Sequence, residues 1–307
     1  MVEIVNAPLP DSVAIIGAGF IGCSFAAVFV RRGVRVRLFD AAADARSSAD
    51  GRIAGMLAQT GDEANLDLVS VHADLDSAVA GVSWVQECVA EDLSIKRDVF
   101  RALDQRCAPS VILASSASEL TMTAISDGLV NPQRCIVVHP TNPPHLLRFV
   151  EVVPGAKTDR QIVDTACAVM TALGQVTASL AKEVPGFLLN RLQVALEREA
   201  FALLTEGVAT VADIDAAIAH GLGPRWAAIG PFAVEETNSM GIEAGLTRFR
   251  GYFNNMFAAL DRPFDGIDDG FVALAVKGVA AAYGRECRDE LLARRDNILL
   301  ALRNHKG

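Results

Sequence analysis

Two side chains in this sequence have the types and setting for general acid–base chemistry. His139 closes the apolar run Val137-Val138-His139-Pro140, and Glu151 stands twelve residues later in the next run, Phe149-Val150-Glu151-Val152-Val153. A histidine at the C-terminal end of a strand lies where open α/β sheets receive their ligands. If the two runs fold back on one another about His145, the imidazole and the carboxylate fall opposite each other. The carboxylate then fixes the imidazole tautomer and raises its basicity, giving a general base with its orienter. The same spacing also describes two unrelated surface groups. Ser118 follows another apolar run, so its hydroxyl could bond a substrate oxygen at the same sheet edge. As part of Ser118-Glu119-Leu120-Thr121 it also reads as a helix cap, and the residues alone favour the cap. Asn190 opens a long amphipathic segment and either reaches across a cleft or lies on an exposed helix face.

The second pattern is Gly17-Ala18-Gly19-Phe20-Ile21-Gly22, preceded by an apolar run at 13–16 and followed by a helix-like stretch to Arg32. In such a loop the first glycine permits a tight turn, the second lets a pyrophosphate approach the backbone, and the third lets helix and strand pack closely. The helix N-terminus faces the phosphates. Asp40, eighteen residues after Gly22 at the end of the next run, is placed to hydrogen-bond an adenosine ribose. Its charge repels a 2′-phosphate, and Ala41, Ala42 and Ala43 offer no basic partner for one, so NAD is expected over NADP. A packing turn, or a membrane span over residues 13–30 with Arg31 and Arg32 as its flank, are the other readings. The three glycines in their strand–turn–helix context oppose both.

These residues need a scaffold, and the pattern supplies one. Further β-type runs at 34–39, 68–71, 82–86, 111–114, 136–138, 149–153 and 175–178 are separated by helix-like segments such as 94–103 and 162–173. Strands alternating with helices predict an α/β fold, a Rossmann-type, mostly parallel sheet covered on both faces. After Pro185-Gly186 the β-runs stop, and amphipathic segments at 187–206, 211–220, 271–283 and 289–303 predict an all-α C-terminal domain. The expected division is 1–184 for cofactor binding and 185–307 for substrate binding and dimerisation.

The 307 residues suffice for two domains with real cores, and 51% hydrophobic against 21% charged residues excludes a disordered chain. A net charge of −9 argues against nucleic acid and anionic membrane as partners. The six cysteines form no CxxC pair and no metal-ligand spacing, so neither a metal site nor a disulfide framework is expected. The N-terminus lacks a basic leader region, and a cytoplasmic, reducing location fits.

In this order the pieces resemble the 3-hydroxyacyl-CoA dehydrogenase family, and within it the lambda-crystallin branch, the L-gulonate 3-dehydrogenases. The resemblance rests on Val85-Gln86-Glu87-Cys88-Val89-Ala90-Glu91-Asp92-Leu93, on His139-Pro140-Thr141-Asn142-Pro143-Pro144, on Lys182-Glu183-Val184-Pro185-Gly186-Phe187 with Asn190-Arg191-Leu192, and on the stretch 221–231. It implies that His139 is the base, Glu151 its partner, and Ser118 and Asn190 the contacts to the substrate oxygen. It also implies cofactor contacts from Phe20, Ile21, Asp40, Glu91 and Lys96, where the residues alone make Glu91 and Lys96 a charge pair at a helix start. The segment between Asp40 and Val85 is shorter than in lambda-crystallin, and Ala117 replaces a hydroxyl residue common in the family.

Relatives that use CoA thioesters carry a lysine-rich helical arm after the second strand. Residues 41–66 here hold Arg46 and Arg52 against Asp44, Asp50, Asp62 and Glu63, which is no arm for CoA phosphates. Arg225, in a turn-like stretch after Gly221 and Gly223, is a cation that could grip a substrate carboxylate bidentately, or pair at a dimer interface. The expected activity is NAD-dependent oxidation of the 3-hydroxyl of a small hydroxy acid, L-gulonate first, by a homodimer joined through the helical domain. L-carnitine and a 3-hydroxyacyl-CoA thioester are the rival substrates. The rival of another class is a non-catalytic, crystallin-like NAD-binding protein, against which the full set of Ser118, His139, Glu151 and Asn190 speaks.

Overall fold

The computed structural model describes residues 9–63, 65–237, 241–260, 268–283 and 287–305. The leader reading of the first eight residues lies outside them. The chain forms two compact units, one running to Arg191 and taking in the chain from Arg295, the other Leu192–Arg294.

The first unit is built on eight strands: β1 (Ser12–Ile16), β2 (Arg35–Phe39), β3 (Val69–His72), β4 (Trp84–Glu87), β5 (Ile112–Ser115), β6 (Cys135–Pro140), β7 (Phe149–Pro154) and β8 (Val176–Ser179). They form one sheet in the order β3-β2-β1-β4-β5-β6-β7-β8. Every pairing is parallel except β6 with β7. The order reverses between β1 and β4, and ligands of such sheets bind at that switch point, beyond the strand C-termini.

Helices α1 (Phe20–Val30), α2 (Ala43–Ser47), α3 (Ala49–Gln59), α4 (Leu75–Val79), α5 (Leu93–Arg106), α6 (Met122–Ile125) and α7 (Arg160–Ala172) connect the strands. The alternation of strand side chains builds two cores: Val13 and Ile15 of β1 pack with Phe25, Phe29 and Trp84, whereas Ala14 and Ile16 pack with Val85, Phe100 and Leu103. Burial on both faces explains why β1 reads as a continuous apolar run. The stretch that reads as a membrane span is β1 plus α1, and no helix among the described residues is long and apolar enough to cross a membrane.

Helix α8 (Leu189–Thr205) leads into the second unit, which consists of α9 (Val211–Ala216), α10 (Gly223–Thr237), α11 (Ile242–Arg248), α12 (Arg250–Ala259) and α13 (Asp269–Tyr283), before α14 (Cys287–His305). The stretch around Arg225, read as a turn from its glycines, is instead helical: Arg225 lies in the first turn of α10, after a π-helical turn over Ala217–Leu222. Gly223 is there for close approach rather than for a bend, because a Cβ would come within 2.7 Å of the Ile218 carbonyl oxygen. The break falls later, at Gly230 with φ 72°, where the chain can admit Pro231 without its missing N–H leaving a helical bond unmade.

Candidate active site

The glycine loop divides its labour as the residue types require. Gly17 has φ 109°, and a Cβ on it would meet the Cys88 carbonyl oxygen at 2.6 Å. A Cβ on Gly22 would lie 1.9 Å from the Gly17 carbonyl oxygen, so this glycine brings α1 onto the turn. Gly19, in contrast, faces open space, and as N-cap of α1 it leaves the first-turn N–H groups without a side-chain acceptor. An open glycine before uncapped N–H donors is a cradle for a pyrophosphate, and the residues present fit a dinucleotide. Phe20 and Ile21 open the helix at this point, Phe20 half exposed.

Asp40 follows β2 and accepts hydrogen bonds from Ala18 N (2.7 Å) and Ala42 N (2.8 Å), which aim its carboxylate at the loop. The residues after it are less bare of positive charge than their linear order suggests. Arg46, on α2, turns back to donate to the carbonyl oxygens of Asp40 (2.6 Å) and Ala41 (3.0 Å), one helical turn bringing close what the sequence separates.

The β6–β7 pairing is antiparallel with His139 opposite Glu151. His139 Nδ1 and Glu151 Oε2 are 2.7 Å apart, and the carboxylate is fully buried. Its other oxygen accepts from Leu188 N (2.7 Å) and Leu189 N (2.9 Å) at the start of α8. With one oxygen facing Nδ1 and the other taken by two N–H groups, the carboxylate orients the ring and leaves Nε2 as the imidazole nitrogen open to a substrate proton. The turn that presents these N–H groups contains Gly186 (φ 74°) and Phe187 (φ 48°). Phe187 is buried and packs on the His139 ring, centroids 5.7 Å apart. In the sequence Phe187 is only the end of a motif, because a non-glycine residue at positive φ has no linear signature. His145, near the hairpin tip, is buried, bonded to Ser24 of α1 and Gln59 of α3, and so ties the hairpin to the cofactor helix.

Ser118 is not a helix cap. Thr121 caps α6, its hydroxyl accepting from Ala124 N, because the chain turns helical three residues later than the serine run suggests. The Ser118 segment is instead held from the side. Glu91 Oε1 accepts from the backbone N–H of Ser118 (2.8 Å), Glu119 (3.0 Å) and Leu120 (3.4 Å). Burial pushes the Glu91 carboxyl up, but these donors together with Lys96 outweigh it and hold it below its ordinary value. Asn190 Nδ2 donates to the Ser118 carbonyl oxygen at 2.9 Å. Since Leu189 binds Glu151 and the next residue binds Ser118, the first turn of α8 joins the dyad to the serine loop. Asn190 is therefore neither on a bare helix face nor distant from Ser118.

The Glu91–Lys96 reading as a helix-start pair changes as well. Asp92 is the N-cap of α5, accepting from Ser94 N and Ile95 N. Lys96 is buried and donates to both oxygens of Glu87 (2.8 and 3.1 Å) and to Val89 O (3.3 Å), with Glu91 at 3.4 Å. Glu87, at the end of β4, also accepts from Ser115 Oγ (2.5 Å) and Val89 N (2.7 Å). Burial pushes its carboxyl above the ordinary value, and Lys96, Ser115 and Val89 pull it only part of the way back. Sequence reasoning gave Glu87 no role, since its place at a parallel-strand terminus facing α5 becomes visible only in the fold. Burial pushes the thiol of Cys88, beside it, up to about 12. Arg225 belongs to the second unit, in α10.

A doubly wound sheet with this loop and an acidic group after β2, and with an imidazole–carboxylate pair at its C-terminal edge, defines an NAD-dependent dehydrogenase. The comparisons agree. Residues 12–184 match the model of the 3-hydroxyacyl-CoA dehydrogenase NAD binding domain, and residues 186–259 that of the C-terminal domain. A lambda-crystallin homolog of Bos taurus is 39% identical over 252 residues, 78% of each chain. An L-carnitine dehydrogenase of Streptomyces griseus is 38% identical over 297 residues, 92% of this chain and 86% of that one. The structure of a 5-formyl-3-hydroxy-2-methylpyridine 4-carboxylic acid 5-dehydrogenase, an NAD+ dependent dismutase, superposes with a TM-score of 0.81 at 29% identity, covering 95% of this chain and 97% of the other. The chain belongs to the 3-hydroxyacyl-CoA dehydrogenase family, NAD-dependent oxidoreductases acting on CH–OH groups.

Proposed function

We propose that this chain oxidises the 3-hydroxyl of a small free hydroxy acid, with a sugar acid such as L-gulonate as its leading substrate. When bound, NAD supplies the hydride acceptor. His139 takes the hydroxyl proton on Nε2 while Glu151 retains the proton on Nδ1 and stabilises the imidazolium that forms. Ser118 and Asn190 hold the substrate oxygen, and Gly17, Gly19, Phe20, Ile21, Gly22, Asp40 and Glu91 border the cofactor. Lys96 contributes through Glu91 and Glu87 rather than by a free ammonium, its donors being engaged. The first unit is the cofactor domain; the helical unit carries substrate and dimer contacts.

The observation that carries the free-acid reading is the segment after Asp40. Its helices α2 and α3 bear two arginines, each donating to backbone carbonyl oxygens, in place of a lysine-rich arm for CoA phosphates. The names of two relatives, with L-carnitine and a pyridine carboxylic acid, favour the same class. L-Carnitine is the second reading, supported by the length over which that relative aligns. An NADH-formation screen with L-gulonate, L-carnitine, 3-hydroxybutyrate and its CoA thioester tests the proposal, and preference for the thioester overturns it.

We assign Arg225 to the carboxylate of the acid, on the chemistry of its guanidinium. Arg225→Met should raise KM for a free hydroxy acid tenfold to several hundredfold, the loss of one charge-assisted contact. Unchanged KM values for both acid and thioester would remove Arg225 from the site. A cytoplasmic homodimer completes the reading. Large apolar side chains exposed on the helical unit, Phe232 (80%), Phe257 (65%) and Val276 (63%), suit an interface between copies. Sedimentation at the 32.5 kDa of one chain would contradict it.

A further inference from the structure

The glycine loop shows where a pyrophosphate is received, and the charges around it show what is needed to neutralise one. Asp40 and Glu91 are carboxylates at this edge, and the chain as a whole carries a net charge of −9. Of the cations near the loop, Lys96 is committed to Glu87, and Arg46 to the carbonyl oxygens of Asp40 and Ala41. Arg52, in the first turns of α3, reaches the glycine loop itself. Its Nη1 donates to the carbonyl oxygen of Ala18, inside the loop, at 2.9 Å, and it forms no ion pair among the described residues. Burial raises the thiol of Cys23, in the first turn of α1, and the neighbouring Arg52 guanidinium opposes that rise, which places its charge against the start of the helix.

The space beside it is open. A cavity of about 600 Å3 is lined by Phe20, Gly51, Arg52, Gly55, Met56 and Gln59. Gly51 and Gly55, one turn apart on α3, leave its wall as bare backbone, since a Cβ on either would meet nothing within 4 Å. Asp40 takes the N–H of Ala18 and Arg52 its carbonyl, so one residue of the loop has a fixed negative charge on one side and a fixed positive charge on the other.

We propose that Arg52 is a cofactor-binding residue of this chain, its guanidinium pairing with the pyrophosphate of NAD at the start of α1. One N–H of the fork anchors it to Ala18, and Arg52 lines the cavity, where a planar guanidinium can hold two phosphate oxygens. The long arm of CoA-using relatives is not required for this contact, because α3 itself brings the cation to the loop.

The test is calorimetric binding to the full-length protein. Arg52→Met should weaken NADH and ADP-ribose about tenfold, flatten the salt dependence of their binding, and leave adenosine unchanged. Arg52→Gln, which can still donate to Ala18 without the charge, should behave like the methionine variant, and Arg52→Lys should recover part of the loss. Wild-type affinity for ADP-ribose in the methionine or glutamine variant overturns the proposal, as does an equal loss for adenosine. A raised KM for the hydroxy acid with unchanged NADH affinity would assign the guanidinium to the substrate instead, and would also overturn it.

Discussion

His139→Ala should lower kcat by about a thousandfold while NADH affinity stays within about twofold of wild type, the range expected for removal of a general base that does not hold the cofactor. The expectation rests on the 2.7 Å contact between Nδ1 and a fully buried Glu151. With Nδ1 committed, the alcohol proton has Nε2 as its acceptor, and no water placed in a truncated site reproduces both position and basicity. Glu151→Gln tests the orienter separately. The amide oxygen can still accept from Leu188 and Leu189, so the start of α8 should hold, but the charge that stabilises the imidazolium is gone. A loss of about ten- to a hundredfold in kcat is expected, with NADH binding intact. A fully active Glu151→Gln enzyme, measured by NADH formation under saturating substrate, would show that the pair has no part in proton transfer.

The largest effect on stability should come from Lys96→Met. Lys96 and Glu87 are both buried, and removing one partner leaves the other as an uncompensated charge, which costs about 3–5 kcal/mol. For a unit of this size that lowers Tm by on the order of 10 °C. Glu91 also loses its cation, so the Ser118 segment, held by three N–H bonds to Glu91, should loosen, and kcat should fall along with Tm. The double variant Lys96→Met/Glu87→Leu removes both charges and should recover most of the stability, because matched apolar groups often replace a buried pair at little cost. Differential scanning calorimetry decides this: a single variant as stable as wild type would mean that Glu87 is protonated in the fold and needs no partner.

Much of this site is legible in the sequence. A glycine's permitted φ, a carboxylate's charge and the period of apolar runs are properties of residue type and local order. The loop at Gly17, Gly19 and Gly22, the acid at Asp40, the alternation of strands and helices and the change to helices after Gly186 could therefore be read along the chain. The local readings that failed are those where distant backbone overruled residue type. Gly223 looked like a turn and is a close-packed helical glycine, because Ile218 lies against it. Ser118 looked like a cap and is a loop residue, because Glu91, 27 positions away, takes its N–H.

Only the tertiary structure decided which polar groups meet. Antiparallel pairing of β6 and β7, rather than the spacing of twelve residues, puts His139 opposite Glu151; a slip of one residue would turn one of the two side chains to the other face of the sheet. The strained turn at Phe187, the commitment of Lys96 to Glu87 and the return of Arg46 and Arg52 to the cofactor edge are set in the same way. A charge declares its sign in the sequence, but its partner is fixed by burial, where every buried polar group must be matched and the packing of helices on the sheet leaves one arrangement that matches them.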